Sequence, residues 1–446
     1  MKKSPSKKNL GVSASSREPA NQEGKPTLVP KLRFPKFRDA GDWTTETLGS
    51  VAKISTEKVG NNSCIPMSIT SGVGLVSQME KFGRIIAGSS YTNYLLLKKN
   101  DFAYNKSATK EYPEGFIALY SGEELAAVPN SIFTCFRIKG DSPEPLYLNY
   151  LLLGNLHGKW LRSFIEVGAR AHGSLSIDED DLLALPVPLP RGKTSLREQQ
   201  KIAECLGSLD ELIAAETRKL DALKTHKKGL MQQLFPPEGE TQPRLRFPEF
   251  KNAGEWDLRT IGDMFRLING CAFKPGDWKP IGTPIIRIQN LNNPSAEFNY
   301  SQGPVLERNR VESGDLLFAW SGTLGSSFGA RIWSGPSGVL NQHIFKVLMD
   351  EQQITPPFAL LVLARVEEDI AKQTHGFKAS FVHVKKSDLV KIDLPLPSLS
   401  EQQRIADCLT SLDDLIAAQT QKLEALKTHK KGLMQQLFPA PEEVLV

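Results

Sequence analysis

Two stretches of the chain place apolar residues at alternating steps of four and three. The first runs Ile202, Leu206, Leu209, Ile213, Glu216, Leu220, Leu223, Lys227, Leu230 and Leu234. The second runs Ile405, Leu409, Leu412, Ile416, Gln419, Leu423, Leu426, Lys430, Leu433 and Leu437. A step averaging about 3.5 residues is the seam of a coiled coil. Glu216/Gln419 and Lys227/Lys430 interrupt the seam, and polar seam residues can set register. Pro-rich text precedes each stretch (LPVPLPRGKTS and LPLPSLS), with Ser195 and Ser398 as candidate N-caps. Each stretch ends at Phe-Pro, where Pro blocks continuation. At 1.5 Å per residue, about 39 residues predict a rod of about 58 Å.

The two stretches are copies. Leu196–Pro236 and Leu399–Pro439 lie 203 residues apart and differ at 8 of 41 positions. A shorter repeat opens each half: PKLRFPKFRDAGDW from Pro30 and PRLRFPEFKNAGEW from Pro243. Between these repeats lie Thr44–Ser195 and Asp257–Ser398, which share little text. Neutral drift after duplication should blur helices and blocks alike, and it has not. One scaffold with two different readers fits better. The natural partner of one helix is the other, and antiparallel pairing would put the blocks at opposite ends.

The blocks carry strand-like runs at Asn93–Lys98, Phe116–Tyr120 and Ser131–Ile138, then at Thr283–Ile288, Asp315–Trp320, Gly329–Trp333 and His343–Leu348. Helix-like apolar stretches follow at Leu146–Val167 and Phe358–Gln373. The predicted class is α+β: two β-rich domains alternating with two long helices, paired as an antiparallel coiled coil in a pseudo-twofold arrangement. Boundaries fall at 1–29 for a basic tail, 30–195, 196–236, 237–398, 399–439 and 440–446.

Composition narrows the function. The chain has 446 residues, 40% hydrophobic and 24% charged, which excludes a disordered or fibrous protein. It has no apolar run long enough for a membrane span and no export signal at its start. The five cysteines, Cys64, Cys135, Cys205, Cys271 and Cys408, are scattered, with neither CxxC nor metal-ligand spacing. Reduced thiols fit the cytoplasm. Formal net charge is +5, yet residues 1–38 alone carry +8, so the remainder is slightly acidic. Any DNA binding must therefore use local basic placement.

Candidate contact residues cluster in the blocks. Tyr104, Asn105 and Lys106 stand together near Lys110. GARAHGSLS contributes Arg170 and His172, and GFKASFVHV contributes Lys378, each beside a glycine that lets backbone approach a ligand. Lys274, Arg287, Gln289 and Asn290 offer hydrogen-bonding groups suited to base edges. Ser321 in WSGTLG and Asn341 in Asn341-Gln342-His343 complete the set. Each cluster reads equally as an exposed loop.

Catalytic signatures are missing. GKT at Gly192–Thr194 lacks the earlier Walker glycine, its place being taken by Val187. There is no nucleophile elbow, no dinucleotide fingerprint, no His-Glu-x-x-His and no Asn-Pro-Pro-aromatic methyltransferase signature. His226 and His429, beside Lys227/Lys228 and Lys430/Lys431, suit the C-terminal ends of helix dipoles.

LREQQKIAECLGSLDELI and LSEQQRIADCLTSLDDLI, each followed by a KLDALKTHKKGLMQQLFP-type ending, resemble the specificity subunits of type I restriction–modification systems. The block openings Trp43…Leu48-Gly49 and Trp256…Ile261-Gly262 match too, and the likeness covers about residues 30–439. It implies two target-recognition domains, each reading one half of a bipartite, asymmetric sequence in double-stranded DNA. It also implies helices that set the half-site spacing and dock two methyltransferase subunits, on faces near Lys224/His226 and Lys427/His429. Restriction subunits join them. S-adenosylmethionine, ATP and Mg²⁺ then belong to the partners, and this chain is not an enzyme by itself. The competing expectation is a coiled-coil scaffold presenting two β-rich modules to non-DNA partners.

Overall fold

The structure, a computed structural model, describes residues 28–70, 72–165, 175–373 and 381–445. It divides into two compact units. Unit 1 comprises residues up to Glu216 together with Lys422–Val446, and unit 2 comprises Thr217–Gln421. Each unit therefore holds one block, the start of the helix that follows it and the end of the other long helix.

The long helices span Ser195–Leu234 and Leu399–Leu437. All twenty seam positions are buried or half-buried. Leu212 and Leu415, which lie off the seam, are exposed. In unit 1, Asp210 pairs with Lys430 and Glu216 with Lys422, both at 2.5 Å. Numbers rise along one helix as they fall along the other, so these segments run antiparallel. In the same unit Ile202 and Leu206 share a core with Leu437. In unit 2, Leu234 shares a core with Ile405 and Leu409, and Lys227 meets Asp413 at 2.6 Å. Ser195 is not the expected side-chain cap. It starts the helix, and its hydroxyl accepts from Gln199 Nε2 at 3.1 Å.

Unit 1 is built on two four-stranded sheets. One has the order Ala52–Ser55, Phe133–Ile138, Asp101–Asn105, Phe116–Leu119. The other has the order Gly74–Ser77, Ile65–Thr70, Ala126–Val128, Leu95–Leu97. A ribbon of Trp43–Thr47 with Pro186–Pro190 joins the two ends of the block.

Unit 2 repeats this plan although its text has diverged. Its sheets run Phe265–Asn269, Ile344–Met349, Leu316–Ala319, Gly329–Ile332 and Asn299–Ser301, Thr283–Ile286, Gly338–Leu340, Arg310–Val311. Asp257–Thr260 pairs with Asp393–Leu396 as the closing ribbon. In each second sheet the parallel pair is Ile65 with Ala126, or Ile285 with Val339.

The repeated text makes repeated contacts. Arg33 holds Glu198 and Arg246 holds Glu401, with both carboxylates 1% exposed. Gln199 accepts from the Glu144 amide at 2.8 Å, and Gln402 from the Thr355 amide at 2.9 Å. These buried clasps fix each block to the start of its helix. The glycine after Leu48 or Ile261 is equally local in cause. A Cβ on Gly49 would lie 3.2 Å from Leu183, and one on Gly262 would lie 3.0 Å from the Val390 carbonyl.

Candidate nucleic-acid interface

In unit 2 the strand Thr283–Ile286 ends at Arg287, and a short helix, Ile288–Asn292, follows. Beside it the strand Gly338–Leu340 ends at Asn341, whose amide donates to the Ile286 carbonyl at 3.0 Å. Arg287, Ile288, Gln289, Asn341, His343 and Ile344 line a cleft of about 200 Å³. Three residues expected from sequence, Arg287, Gln289 and Asn341, thus converge from two strand ends.

The lip of the cleft is aromatic and polar. The Arg287 guanidinium lies 4.9 Å from the Trp278 ring centroid and donates to Asn299 Oδ1 at 2.8 Å. That contact holds the cation in place and leaves other donors of its fork for a ligand. Gln289 is exposed and donates to the Glu297 carbonyl at 3.2 Å. Gln342 Nε2 donates to His343 Nε2 at 3.0 Å, and Trp320 Nε1 donates to the Gln342 carbonyl at 3.2 Å. The Trp320 ring packs against His343, Phe345 and His383. His383 sits on a ribbon of Phe381–His383 with Ser321–Thr323. Sequence reasoning did not single out His383 or Trp278. His383 lies far from the cleft residues in the chain, while Trp278 stands nine residues before Arg287, and the fold brings both to the lip.

Burial corrects three expectations. Tyr104 is 1% exposed, and its hydroxyl donates to the Glu114 carbonyl at 2.7 Å. Burial, with a smaller push from the Glu114 charge, raises its pKa. It belongs to the core rather than to a contact surface. Asn290 is fully buried and works as a local brace. Its Oδ1 accepts from the Arg287 amide at 3.0 Å, and its Nδ2 donates to the Ala296 carbonyl at 3.3 Å. Ser321 is buried in its ribbon, 3.4 Å from His383 Nδ1.

Other candidates are placed without convergence. Asn105 Oδ1 accepts from the Ser107 amide at 3.0 Å. Lys106 is half-buried and Lys110 is exposed. Lys274 is exposed, and its amide donates to Asp277 Oδ2 at 2.7 Å. Arg170, His172 and Lys378 lie outside the described residues.

Lys106 of unit 1 stands where Trp320 stands in unit 2. The Lys106 amide donates to the Ile132 carbonyl, and its carbonyl accepts from Leu175. Trp320 makes the same two contacts with His343 and Val384. The frame is shared, while the side chain it presents differs. Among the described residues, no group of three or more His, Cys, Asp or Glu is arranged to hold a metal ion. No helix among them is long and apolar enough to cross a membrane.

Comparison with known proteins points to one family. Residues 253–428 match the model of the type I restriction modification DNA specificity domain. A Methanocaldococcus jannaschii protein named as the specificity subunit of the type I restriction enzyme MjaX is 28% identical over 336 residues, covering 73% of this chain and 74% of that protein. The chain is similar to the type I restriction–modification specificity subunits. Its fold agrees with theirs. The S subunit of a type I system from M. genitalium superposes with a TM-score of 0.51 at 16% identity, over 92% of this chain and 99% of that one. A chain from a structure of type I R–M complex assembly and conformational transition gives 0.56 at 17% identity, over 89% and 97%.

Proposed function

We propose that this chain is a specificity subunit and reads a bipartite, asymmetric sequence in double-stranded DNA, one half-site per block. The observation that carries this reading is the shared frame with a divergent edge. Both units use the same sheet orders and closing ribbon, yet Lys106 and Trp320 occupy equivalent places. Two different readers on one frame suit an asymmetric target. In unit 2 the reading groups are Arg287, Gln289 and Asn341 at the cleft. Arginine can bridge guanine O6 and N7, and the amides can bridge adenine N6 and N7. Lys106, Lys110 and Lys274 serve phosphates, which position without specifying.

The long helices pair as an antiparallel coiled coil and set the spacing between half-sites. They also dock methyltransferase subunits, two in number, which restriction subunits join. Methylation and cleavage reside in those partners, together with S-adenosylmethionine, ATP and Mg²⁺. This chain contributes recognition and assembly but no catalytic residue.

The test is block exchange. Thr44–Ser195 is replaced by the corresponding block of another specificity subunit, and methylated sites are mapped in cells carrying the partner subunits. One half of the motif should change while the other half and the spacing stay. An unchanged motif would overturn the reading.

A further inference from the structure

The function proposed above leaves the repeated opening, Pro30–Trp43 and Pro243–Trp256, unused. Its two copies differ at five of 14 positions, and all five are exposed in both. The residues that make contacts are unchanged. In unit 1 the Leu32 amide donates to the Gln436 carbonyl at 2.8 Å, in the last turn of the helix Leu399–Leu437. In unit 2 the Leu245 amide donates to the Gln233 carbonyl at 2.9 Å, in the last turn of the helix Ser195–Leu234. Carbonyls of a last turn have no partner within their own helix.

The next residue reaches the other helix. Arg33 grips Glu198 and Arg246 grips Glu401, each through two bonds of 2.7 Å and each in the first turn of the helix that follows its block. The remaining nitrogen, Nη1, donates back to the opening itself, to the Gly41 carbonyl at 2.7 Å and to that of its counterpart Gly254 at 2.9 Å. A planar fork held on both sides fixes direction as well as distance. Trp43 or Trp256 then ends the opening inside the core. The Trp43 ring lies 6.1 Å from Tyr147 of the block, and Tyr147 lies 5.2 Å from Phe438, just past a helix end. Trp256 likewise lies 6.4 Å from Phe358 of its block and 6.1 Å from Phe235. Each opening is therefore tied to one helix start, one helix end and one block.

These ties bear on spacing. One added base pair displaces a half-site by about 3.4 Å along the duplex and turns it by about 35°. A block free to swivel on its helix ends would follow such a turn. A block tied at separate points to two antiparallel helices cannot. A joint that served only the fold of its own block would have diverged with that block, as the text of the sheets did while their order stayed.

We propose that the opening repeat is the joint that orients each block on the paired helices, with Arg33 and Arg246 as its positioning residues, so that a single half-site spacing is accepted. The helices supply the length, and the joints remove the swivel. The inference rests on the DNA-reading function above.

The experiment uses the complete chain in cells carrying the partner subunits and reads the methylated motif. Arg33→Met/Glu198→Met exchanges the pair for apolar side chains of similar length, a change that buried ion pairs commonly tolerate. Methionine fills the space without a directional fork. Both half-site sequences should stay. Methylation at spacers one base pair shorter or longer should rise about tenfold over wild type, as a loss of about 1.4 kcal/mol in discrimination gives. Arg246→Met/Glu401→Met should do the same from unit 2, so either variant decides when the other fails to assemble. Strict wild-type spacing in an assembled variant would overturn the joint. So would methylation lowered alike at every site, or failure of both variants to assemble, since either outcome makes the pair a stabilising contact only. Changed bases within a half-site would also overturn it, by making the pair part of a reader. A wild-type complex with no bipartite motif would instead overturn the DNA-reading function itself.

Discussion

Arg246 grips Glu401 through two hydrogen bonds of 2.7 Å, Nε to one carboxylate oxygen and Nη2 to the other. The carboxylate is 1% exposed, and its guanidinium partner is 12% exposed. Removing one member of such a pair strands a buried charge, at a cost of about 3–5 kcal/mol. Arg246→Ala should therefore destabilise unit 2 by that amount in denaturant unfolding. Arg246→Ala/Glu401→Ala should recover part of the loss, because the stranded charge is gone. A double variant no more stable than the single would show that the clasp acts by packing and not by charge.

Protonation of His157 opposes the folding of unit 1. His157 is 1% exposed, and neither ring nitrogen makes a hydrogen bond of good geometry. Burial lowers its pKa from 6.5 to about 4, with the Gly115 and Leu152 carbonyls and the Glu114 charge opposing the shift only partly. Tyr104 packs edge-on against it, and Arg162 pairs with Glu114. The sign follows from which state binds the proton. Between pH 6.5 and about 4 the unfolded chain is protonated at this histidine and the folded chain is not, so stability falls as pH falls through that window. The full loss is of order 3 kcal/mol and is complete below the folded pKa. Titrating the unfolding free energy of wild type and His157→Phe checks it. If the variant's stability fell as steeply with acid, another group would be responsible.

Gly262 leaves no room for a side chain. An added Cβ would stand 3.0 Å from the Val390 carbonyl oxygen and 3.1 Å from its Cβ. Gly262→Ala must push apart the helical turn Ile261–Met264 and Val390, and overpacking of this kind costs about 1–3 kcal/mol. Gly49→Ala should behave alike against Leu183. Thermal unfolding of the two variants measures both, and a neutral Gly262→Ala would mean that the contact relaxes freely.

These contacts show which parts of the molecule were legible in its sequence. The seam could be read residue by residue, because helical periodicity depends on spacing alone. Even its polar members, Glu216 and Lys430, find partners at Lys422 and Asp210. The repeated plan of the two blocks could not be read. It resides in strand order, and pairings such as Ile65 with Ala126 or Ile285 with Val339 join positions far apart in the chain. At the site, Arg287, Gln289 and Asn341 were legible as polar residues near strand ends. Tyr104 and Asn290 looked the same in text, but burial gave them to the core and to a local brace.

Arg287 and Lys110 separate specificity from affinity in the proposed DNA complex. Arg287 is seated by Trp278 and Asn299 at the cleft, in a pose suited to one base edge. Arg287→Ala should cost about 1–3 kcal/mol on the intact target and relax preference at one position of the half-site read by unit 2. Lys110 is exposed beyond the strand Asp101–Asn105 and has the chemistry of a phosphate contact. Lys110→Ala should weaken binding by a similar factor on every sequence. It should also reduce the slope of log affinity against log salt by about one unit, as one fewer counterion is released. Competition binding across a panel of single-base variants at several salt concentrations measures both effects together. Loss of base preference in Lys110→Ala, or a purely salt-dependent loss in Arg287→Ala, would reverse the two assignments.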